Sequence, residues 1–137
     1  MWYYNGEEFT SEMIEDNVGF VYIITNVSNN KKYVGKKILV SKRKLPPLKG
    51  KKRRRTKIVE STWQDYFGSS DEVNAILEEH GRDIFKREIL HLCKSKSEMS
   101  YLELKEQMDR EVLLNDEYYN GIIQVKIHRA HVKTLKK

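Results

Sequence analysis

Three stretches of the chain have the residue pattern of β-strands. Phe20 to Thr25 is rich in β-branched and aromatic residues, and Lys31 to Lys37 and Ile84 to Cys93 have similar patterns. Residues 26–30 separate the first two stretches and consist mainly of Asn and Ser, which favour turns. We therefore expect the first two strands to form an antiparallel hairpin, with the third strand following later in the chain.

Helical spacing of apolar residues predicts two main helices. The first lies between Ser69, which has capping-box spacing to Glu72, and Gly81, where a glycine ends the helix. The second covers residues 97–114. A short helix is also expected over residues 38–45, ahead of two prolines, and a single helical turn after residue 62. The apolar positions are Val73, Ile76 and Leu77 in the first helix, Tyr101, Leu104, Met108 and Val112 in the second, and Trp63, Tyr66 and Phe67 in the turn.

The order of these elements predicts an α+β fold rather than a doubly wound sheet. Because the first two strands form a hairpin, the sheet is expected to be small and antiparallel, with about three strands flanked by helices. Residues 19–121 form the predicted domain. Residues 1–18 are expected to be an N-terminal extension that packs its aromatic side chains on the core, and residues 122–137 a basic C-terminal tail.

Composition narrows the class of protein. No apolar run is long enough to cross a bilayer, and the start of the chain lacks the pattern of a signal peptide. Cys93 is the single cysteine, which excludes a disulfide framework or a cysteine-based zinc site within one chain. We expect a soluble, cytoplasmic protein without a membrane partner, in which Cys93 is a core residue.

Positive charge is concentrated in one part of the chain. The net charge is +6, and the interval between Asp16 and Glu60 holds 14 Lys and Arg residues and no acidic residue. An exposed basic loop is expected within residues 42–57, either as a solvated segment or as a surface for a polyanion. The nucleic-acid contacts expected from it are Lys49, Lys51, Lys52, Arg53, Arg54, Arg55 and Lys57, to which Lys126, Arg129, Lys133, Lys136 and Lys137 of the tail would add.

Residues with useful chemistry are spread along the predicted hairpin and the later part of the chain. Tyr22 and Tyr33 lie on the two paired strands, and Gly35 leaves room for another group to approach the backbone. Each residue alone also has an ordinary explanation: the tyrosines as a cross-strand pair, the bases as surface charges, and Asn120 as a turn residue. The other members of this set are Lys36, Arg43 and Glu103.

The order and spacing of these residues resemble the GIY-YIG nuclease family. Tyr22 ends the segment that matches the first family element, Tyr33-Val34-Gly35 matches the second, and Arg43 follows the glycine by eight residues. Leu102-Glu103 and Tyr119-Asn120 match later elements, while Phe20 replaces the opening glycine of the pattern. The stretch from residue 63 to residue 70 is similar to that of phage-borne, homing-type (Seg-like) members.

The resemblance implies a role for each of these residues. Tyr22 or Tyr33 would take a proton from the attacking water, and the ammonium of Lys36 would lower the pKa of a neighbouring phenol. Arg43 would hold phosphate oxygens, because its planar guanidinium suits them. Glu103 would bind Mg²⁺ or Mn²⁺ and leave most ligand positions to water and substrate. Asn120 is the remaining expected catalytic residue.

The implied function is a small homing-type or phage-encoded DNA endonuclease that hydrolyses phosphodiester bonds with one divalent metal ion. It would act as a monomer or as a transient dimer on DNA. Two alternatives stay open: an inactive nucleic-acid-binding protein of the same fold, and a nuclease that acts on RNA. Glu106, one helical turn from Glu103, is a rival metal ligand, and His91 is the histidine best placed to reach the site.

Overall fold

A computed structural model describes residues 1–126 and residue 129. Seven strands are present in this part of the chain: β1 (Trp2–Tyr4), β2 (Glu7–Glu8), β3 (Gly19–Asn26), β4 (Lys32–Ile38), β5 (Val40–Leu45), β6 (Arg55–Glu60) and β7 (Phe85–Cys93). Five of them form the main sheet, in the order β2-β1-β7-β3-β4. β1 runs parallel to β7, and the other pairs are antiparallel. The predicted α+β class is confirmed, but the sheet is mixed and larger than the expected three strands.

The segment predicted as an N-terminal extension supplies β1 and β2 to the main sheet. Trp2 and Phe9 are buried in the core and Tyr4 packs against it, which confirms the predicted packing for these three aromatic residues of the segment. The indole N–H of Trp2 donates a hydrogen bond to the carbonyl of Trp63 at 2.8 Å. These strands were not predicted because each is only two or three residues long, too short to show an alternating pattern.

Two helices lie beside the sheet, α1 (Asp71–His80) and α2 (Lys96–Asp109). The predicted first helix is confirmed: it ends at His80, and the capping residue Gly81 has a φ of +84°, which suits glycine. Its N-cap is Ser70 rather than the expected Ser69, because the Ser70 side chain accepts the hydrogen bond from the Val73 N–H. Among the described residues, no helix has the length and apolar character needed to cross a lipid bilayer.

The second helix is shorter than predicted, and its buried residues differ from those of the predicted apolar stripe. It ends at Asp109, and Glu111 just beyond has a φ of +52°, which no continuing helix permits. Met99 and Gln107 are its buried residues, whereas Met108 of the predicted stripe is 59% exposed. The expected turn after residue 62 is a short 3-10 helix, Trp63–Asp65, and Tyr66 is already extended.

The basic segment forms a separate two-stranded sheet, which we call the basic hairpin (residues 40–60). β5 pairs with β6 in antiparallel register, from Val40 opposite Glu60 to Leu45 opposite Arg55. The predicted helix over residues 38–45 is therefore wrong, whereas the predicted exposed loop is present over residues 46–54 and gives way to β6 at residue 55. Strand pairing satisfies backbone groups that an open loop would leave to water, and the β-branched residues of β6 favour extended backbone.

Alternation along β3 separates two apolar clusters on opposite faces of the main sheet. One face carries Phe20, Tyr22 and Ile24, which pack in one cluster with the aromatic residues of β1 and of residues 63–67. The other face carries Val21 and Ile23, which share a cluster with Met99 of α2. Cys93 belongs to this second cluster and is fully buried, as predicted. The chain beyond residue 126 lies outside the described residues except for Arg129, so Lys133, Lys136 and Lys137 are not described.

Candidate active site

Tyr22 and Tyr33 lie on neighbouring strands with their rings close together. The ring centroids are 6.3 Å apart, and the hairpin register places Gly35 directly opposite Tyr22. Tyr22 is 1% exposed, whereas Tyr33 is partly exposed and its hydroxyl lies 3.0 Å from the Ser69 Oγ. Tyr33 is therefore the phenol that water or a substrate can reach more easily.

Two glycines let backbone lie against these rings. A Cβ built on Gly35 would meet the Tyr22 hydroxyl and would lie 2.7 Å from its Cζ atom. A Cβ on Gly68, whose φ is +95°, would lie 3.3 Å from the Tyr22 hydroxyl and from the Tyr33 ring. The predicted use of Gly35 for a close approach is confirmed, and the approaching group is the Tyr22 side chain.

Residues 63–68 cover the two phenols, although they were not among the predicted site residues. The Tyr66 ring packs edge-on against Tyr22 with centroids 5.9 Å apart, and the Lys37 ammonium lies 4.5 Å from the Tyr66 ring centroid. Arg87 holds this segment, because its guanidinium donates to the carbonyls of Gln64 and Tyr66 at 3.0 and 2.8 Å. The signal available in the sequence was the similarity of residues 63–70 to the homing-type pattern.

Lys36 connects the hairpin to α2. Its Nζ donates a hydrogen bond to the Ser100 Oγ at 2.8 Å, and Glu103 follows on the same helix. The Lys36 charge acts on the Glu103 carboxylate, which in turn acts on both Tyr22 and Tyr33. α2 packs on the sheet face opposite the phenols, and β4 is an edge strand. The charge of Glu103 therefore acts on the phenols from the other side of the sheet.

Burial controls the ionisation of these groups. It raises the pKa of Tyr22 well above its ordinary value, and the neighbouring Tyr66, Tyr33 and Glu103 add to this effect. Burial also raises the pKa of Tyr33, against an opposing hydrogen bond from Ser69. The expectation that Lys36 lowers the pKa of a phenol is wrong, because burial dominates at both rings. Burial likewise raises the pKa of Glu103, and Lys36 opposes that shift.

Glu106 has different partners from Glu103. Its two carboxylate oxygens lie 2.8 Å from the His91 Nε2 and 2.9 Å from the Arg110 Nε. Burial works to raise the pKa of Glu106, but these two partners together outweigh burial and hold it below its ordinary value. His91, the histidine expected to be best placed to reach the site, is thus the partner of Glu106. Glu103 is the carboxylate that interacts with Tyr22 and Tyr33.

The Asn120 side chain forms hydrogen bonds with the backbone at the edge of β4. Its Oδ1 accepts a hydrogen bond from the Val34 N–H at 3.0 Å, and its Nδ2 donates to the Val34 carbonyl at 2.9 Å. Gln107 donates to the same carbonyl at 3.2 Å. The Asn120 side chain is thus occupied by the strand that carries Tyr33 and Lys36. Its described contacts hold the site in place rather than reach into it.

Arg43 is not brought to the phenols by any described contact. It lies on β5 and is exposed, directly opposite Lys57 of β6. The other expected nucleic-acid contacts, from Lys49 to Lys57, are all exposed in the same hairpin. The structure therefore brings Tyr22 and Tyr33 together and links Lys36 to the helix that carries Glu103, whereas it places Arg43 with the basic residues of the hairpin.

The site offers one carboxylate, that of Glu103, and this limits the kinds of metal ion that the site could bind. Among the described residues, no group of three or more His, Cys, Asp and Glu side chains is placed to hold a metal ion. Glu103 alone fits Mg²⁺ or Mn²⁺, since such an ion keeps several water ligands and takes others from substrate phosphate. Because burial raises the pKa of Glu103, a cation beside it would favour its charged form.

The hairpin phenols, the glycine opposite Tyr22 and the helix glutamate define a GIY-YIG-type domain. The family model described as "Putative endonuclease segE, GIY-YIG domain" matches residues 2–123. The chain therefore belongs to this family, and the match includes β1 and β2. Comparisons with curated proteins and with solved structures found no match.

Proposed function

We propose that this protein is a metal-dependent endonuclease that hydrolyses phosphodiester bonds in DNA. The observation that carries the proposal is the packing of Tyr33 against Tyr22, with the charge of Glu103 acting on both phenols and that of Lys36 acting on Glu103. The family match supports nuclease chemistry, and the basic hairpin supports a polyanionic substrate. A homing or phage-encoded role belongs to the same proposal and is supported by the Seg-type family.

Tyr33 is the proposed general base. Its hydroxyl is more accessible than that of Tyr22, and it would take the proton from the water that attacks phosphorus. Tyr22 supports the position of Tyr33 by ring packing. Lys36 would stabilise negative charge that develops on the phosphate, since its charge already acts on Glu103, the proposed metal ligand.

Glu103 is the proposed ligand of Mg²⁺ or Mn²⁺. The bound ion would supply charge stabilisation at the scissile phosphate. Asn120 acts as a positioning residue through Val34. Arg43 remains a predicted phosphate contact, and the hairpin residues Lys49, Lys51, Lys52, Arg53, Arg54, Arg55 and Lys57 would hold the DNA backbone.

A nicking assay tests this function. Supercoiled plasmid is incubated with the wild-type protein and with Glu103→Gln in Mg²⁺, Mn²⁺ or EDTA, and DNA binding is measured in parallel. Nicking that needs metal and is lost in Glu103→Gln, with binding retained, is the expected result. Binding without nicking under all conditions would instead make the protein an inactive DNA-binding member of the family. Cleavage of structured RNA but not of DNA would make it an RNA nuclease.

A further inference from the structure

We infer that the basic hairpin is a β-ribbon that lies in the major groove of duplex DNA. This inference deepens the proposed function by naming the form of DNA and the groove. It rests on the proposed function only in taking DNA, rather than another polyanion, as the partner. Binding can be measured without cleavage, so the two proposals are tested separately.

The hairpin is an unshielded ribbon joined to the domain at its base. At that base, the Ser61 N–H donates to the carbonyl of Leu39, and Glu60 accepts hydrogen bonds from Ser11 and Trp63. Further out, the side chains from Ser41 to Lys44 and from Arg55 to Ile58 are exposed, including Ile58 at 65%. A two-stranded ribbon without a covering layer is marginally stable in water, so a partner that covers one face would stabilise it.

Like charges face each other across this ribbon. Arg43 lies directly opposite Lys57, and such a pair destabilises a sheet unless an anion lies nearby. No acidic residue lies between Asp16 and Glu60 in the sequence. The acidic residues that line a cavity with the ribbon, Glu15 and Asp16, do so beside Lys42. Within the described part of the chain, no ion pair involves a residue of the hairpin strands. A row of phosphates would supply the missing negative charge.

The dimensions of the ribbon favour the major groove of a duplex. Paired strands lie about 4.8 Å apart, and the six residues of β5 extend about 20 Å. The major groove is about 12 Å wide and admits a two-stranded ribbon, whereas the minor groove is about 6 Å wide. Single-stranded DNA is held largely by stacking on aromatic side chains, and residues 40–60 contain none.

The test measures binding of a short fluorescent duplex in EDTA over a range of salt concentrations. Arg43→Thr with Lys57→Thr removes the facing charges and keeps β-branched residues that suit the strands. Lys86→Thr with Lys94→Thr removes the same charge from the main domain and is the matched control. The hairpin variant is expected to lower the slope of log affinity against log salt by about 1.8, as two phosphate contacts are lost. The control is expected to keep the wild-type slope.

Competing ligands identify the groove. Methyl green, which occupies the major groove, is expected to displace the wild-type protein, and netropsin, which occupies the minor groove, is not. Displacement by netropsin alone, equal affinity for the matching single strand, or an unchanged slope in the hairpin variant would each overturn the inference. Major-groove binding without any nicking would contradict the proposed activity alone, so the two failures are distinguishable.

Discussion

The phenol ring of Tyr22 lies over the backbone of Gly35, its partner across the β3–β4 hairpin. A side chain at Gly35 would occupy the space of the Tyr22 hydroxyl and Cζ atom. The same hydroxyl also lies close to Gly68, so the backbone of two glycines packs against it. The absence of a Cβ at Gly35 thus makes room for the buried Tyr22 phenol. The register between β3 and β4 determines where that phenol lies.

Gly35→Ala is expected to destabilise the fold and to displace Tyr22. The added methyl group has no room beside a ring atom only 2.7 Å away, and overpacking of this kind costs about 1–3 kcal/mol. Thermal unfolding measures the loss, with Gly121→Ala as the control, because nothing lies within 4 Å of a Cβ at Gly121. Equal melting temperatures for the two variants would show that the Tyr22 ring moves without cost.

Glu103→Gln and Glu106→Gln are expected to separate activity from stability. Glu103→Gln removes the proposed metal ligand and should abolish nicking at an unchanged melting temperature. Glu106→Gln weakens hydrogen bonds with His91 and Arg110 and should cost about 1–2 kcal/mol of folding free energy while nicking persists. Plasmid nicking and thermal unfolding of both variants provide the comparison. Loss of nicking in Glu106→Gln alone would move the metal site to Glu106.

Stability should fall in acid partly through Glu106. The folded-state pKa of this carboxyl is held below its ordinary value, so its contribution is complete above that ordinary value. The contribution is then lost as the pH falls through the lower folded pKa, where Glu106 becomes protonated. Unfolding by denaturant across this acidic range should show a shallower decline for Glu106→Gln than for the wild type. Parallel curves would remove Glu106 from the acid sensitivity.

The pH dependence of cleavage tests Tyr33 as general base. Burial raises the pKa of Tyr33 above its ordinary value of about 10, so only a small fraction is phenolate near neutrality. The rate should therefore rise about tenfold for each pH unit between about pH 7 and pH 9, without a plateau. Single-turnover nicking rates measure this slope, and Tyr33→Phe should remove it together with most activity. A plateau below pH 8 in the wild type would point to another base.

Local sequence patterns predicted the parts of the fold that are regular and long. The turn residues between β3 and β4 and the β-branched character of β3 predicted the hairpin, and Gly81 predicted the end of α1. Strand β1 could not be predicted from its local pattern, because a three-residue strand is defined by its pairing with the parallel strand β7. The hairpin at β5 and β6 was missed because charge runs obscure the alternation on which strand prediction depends.

The site residues that share one hairpin could be predicted from the sequence. The contacts between segments that are far apart in the chain could not. The spacing between Tyr22 and Tyr33 follows from the register of two adjacent strands, so it is readable from the sequence. The contact of Tyr66 with Tyr22 depends on Arg87, a buried base that bonds backbone carbonyls far away in the chain. Burial of the phenols also depends on the packed fold, and burial raises their pKa. The prediction from sequence that Lys36 lowers the pKa of a phenol was therefore wrong.

Asn120→Ala is expected to loosen the edge of β4 without removing a reacting group. The Val34 N–H loses its partner, while the Val34 carbonyl keeps the hydrogen bond from Gln107. An unsatisfied buried N–H costs about 1–3 kcal/mol, so the melting temperature should fall and the Val34 amide should exchange hydrogen faster. The backbone pairing of Tyr119 with Lys32 remains, so the rest of the edge should keep its protection.

A positioning role for Asn120 also predicts how activity changes. The Asn120→Ala variant should keep measurable nicking per folded molecule, with the same dependence on pH as the wild type, because Tyr33 still supplies the base. Tyr33→Phe, by contrast, should lose both nicking and that dependence. If folded Asn120→Ala binds DNA but shows no nicking at any pH, the Asn120 amide must act on the substrate itself. Its hydrogen bonds to Val34 would then have to open when DNA binds.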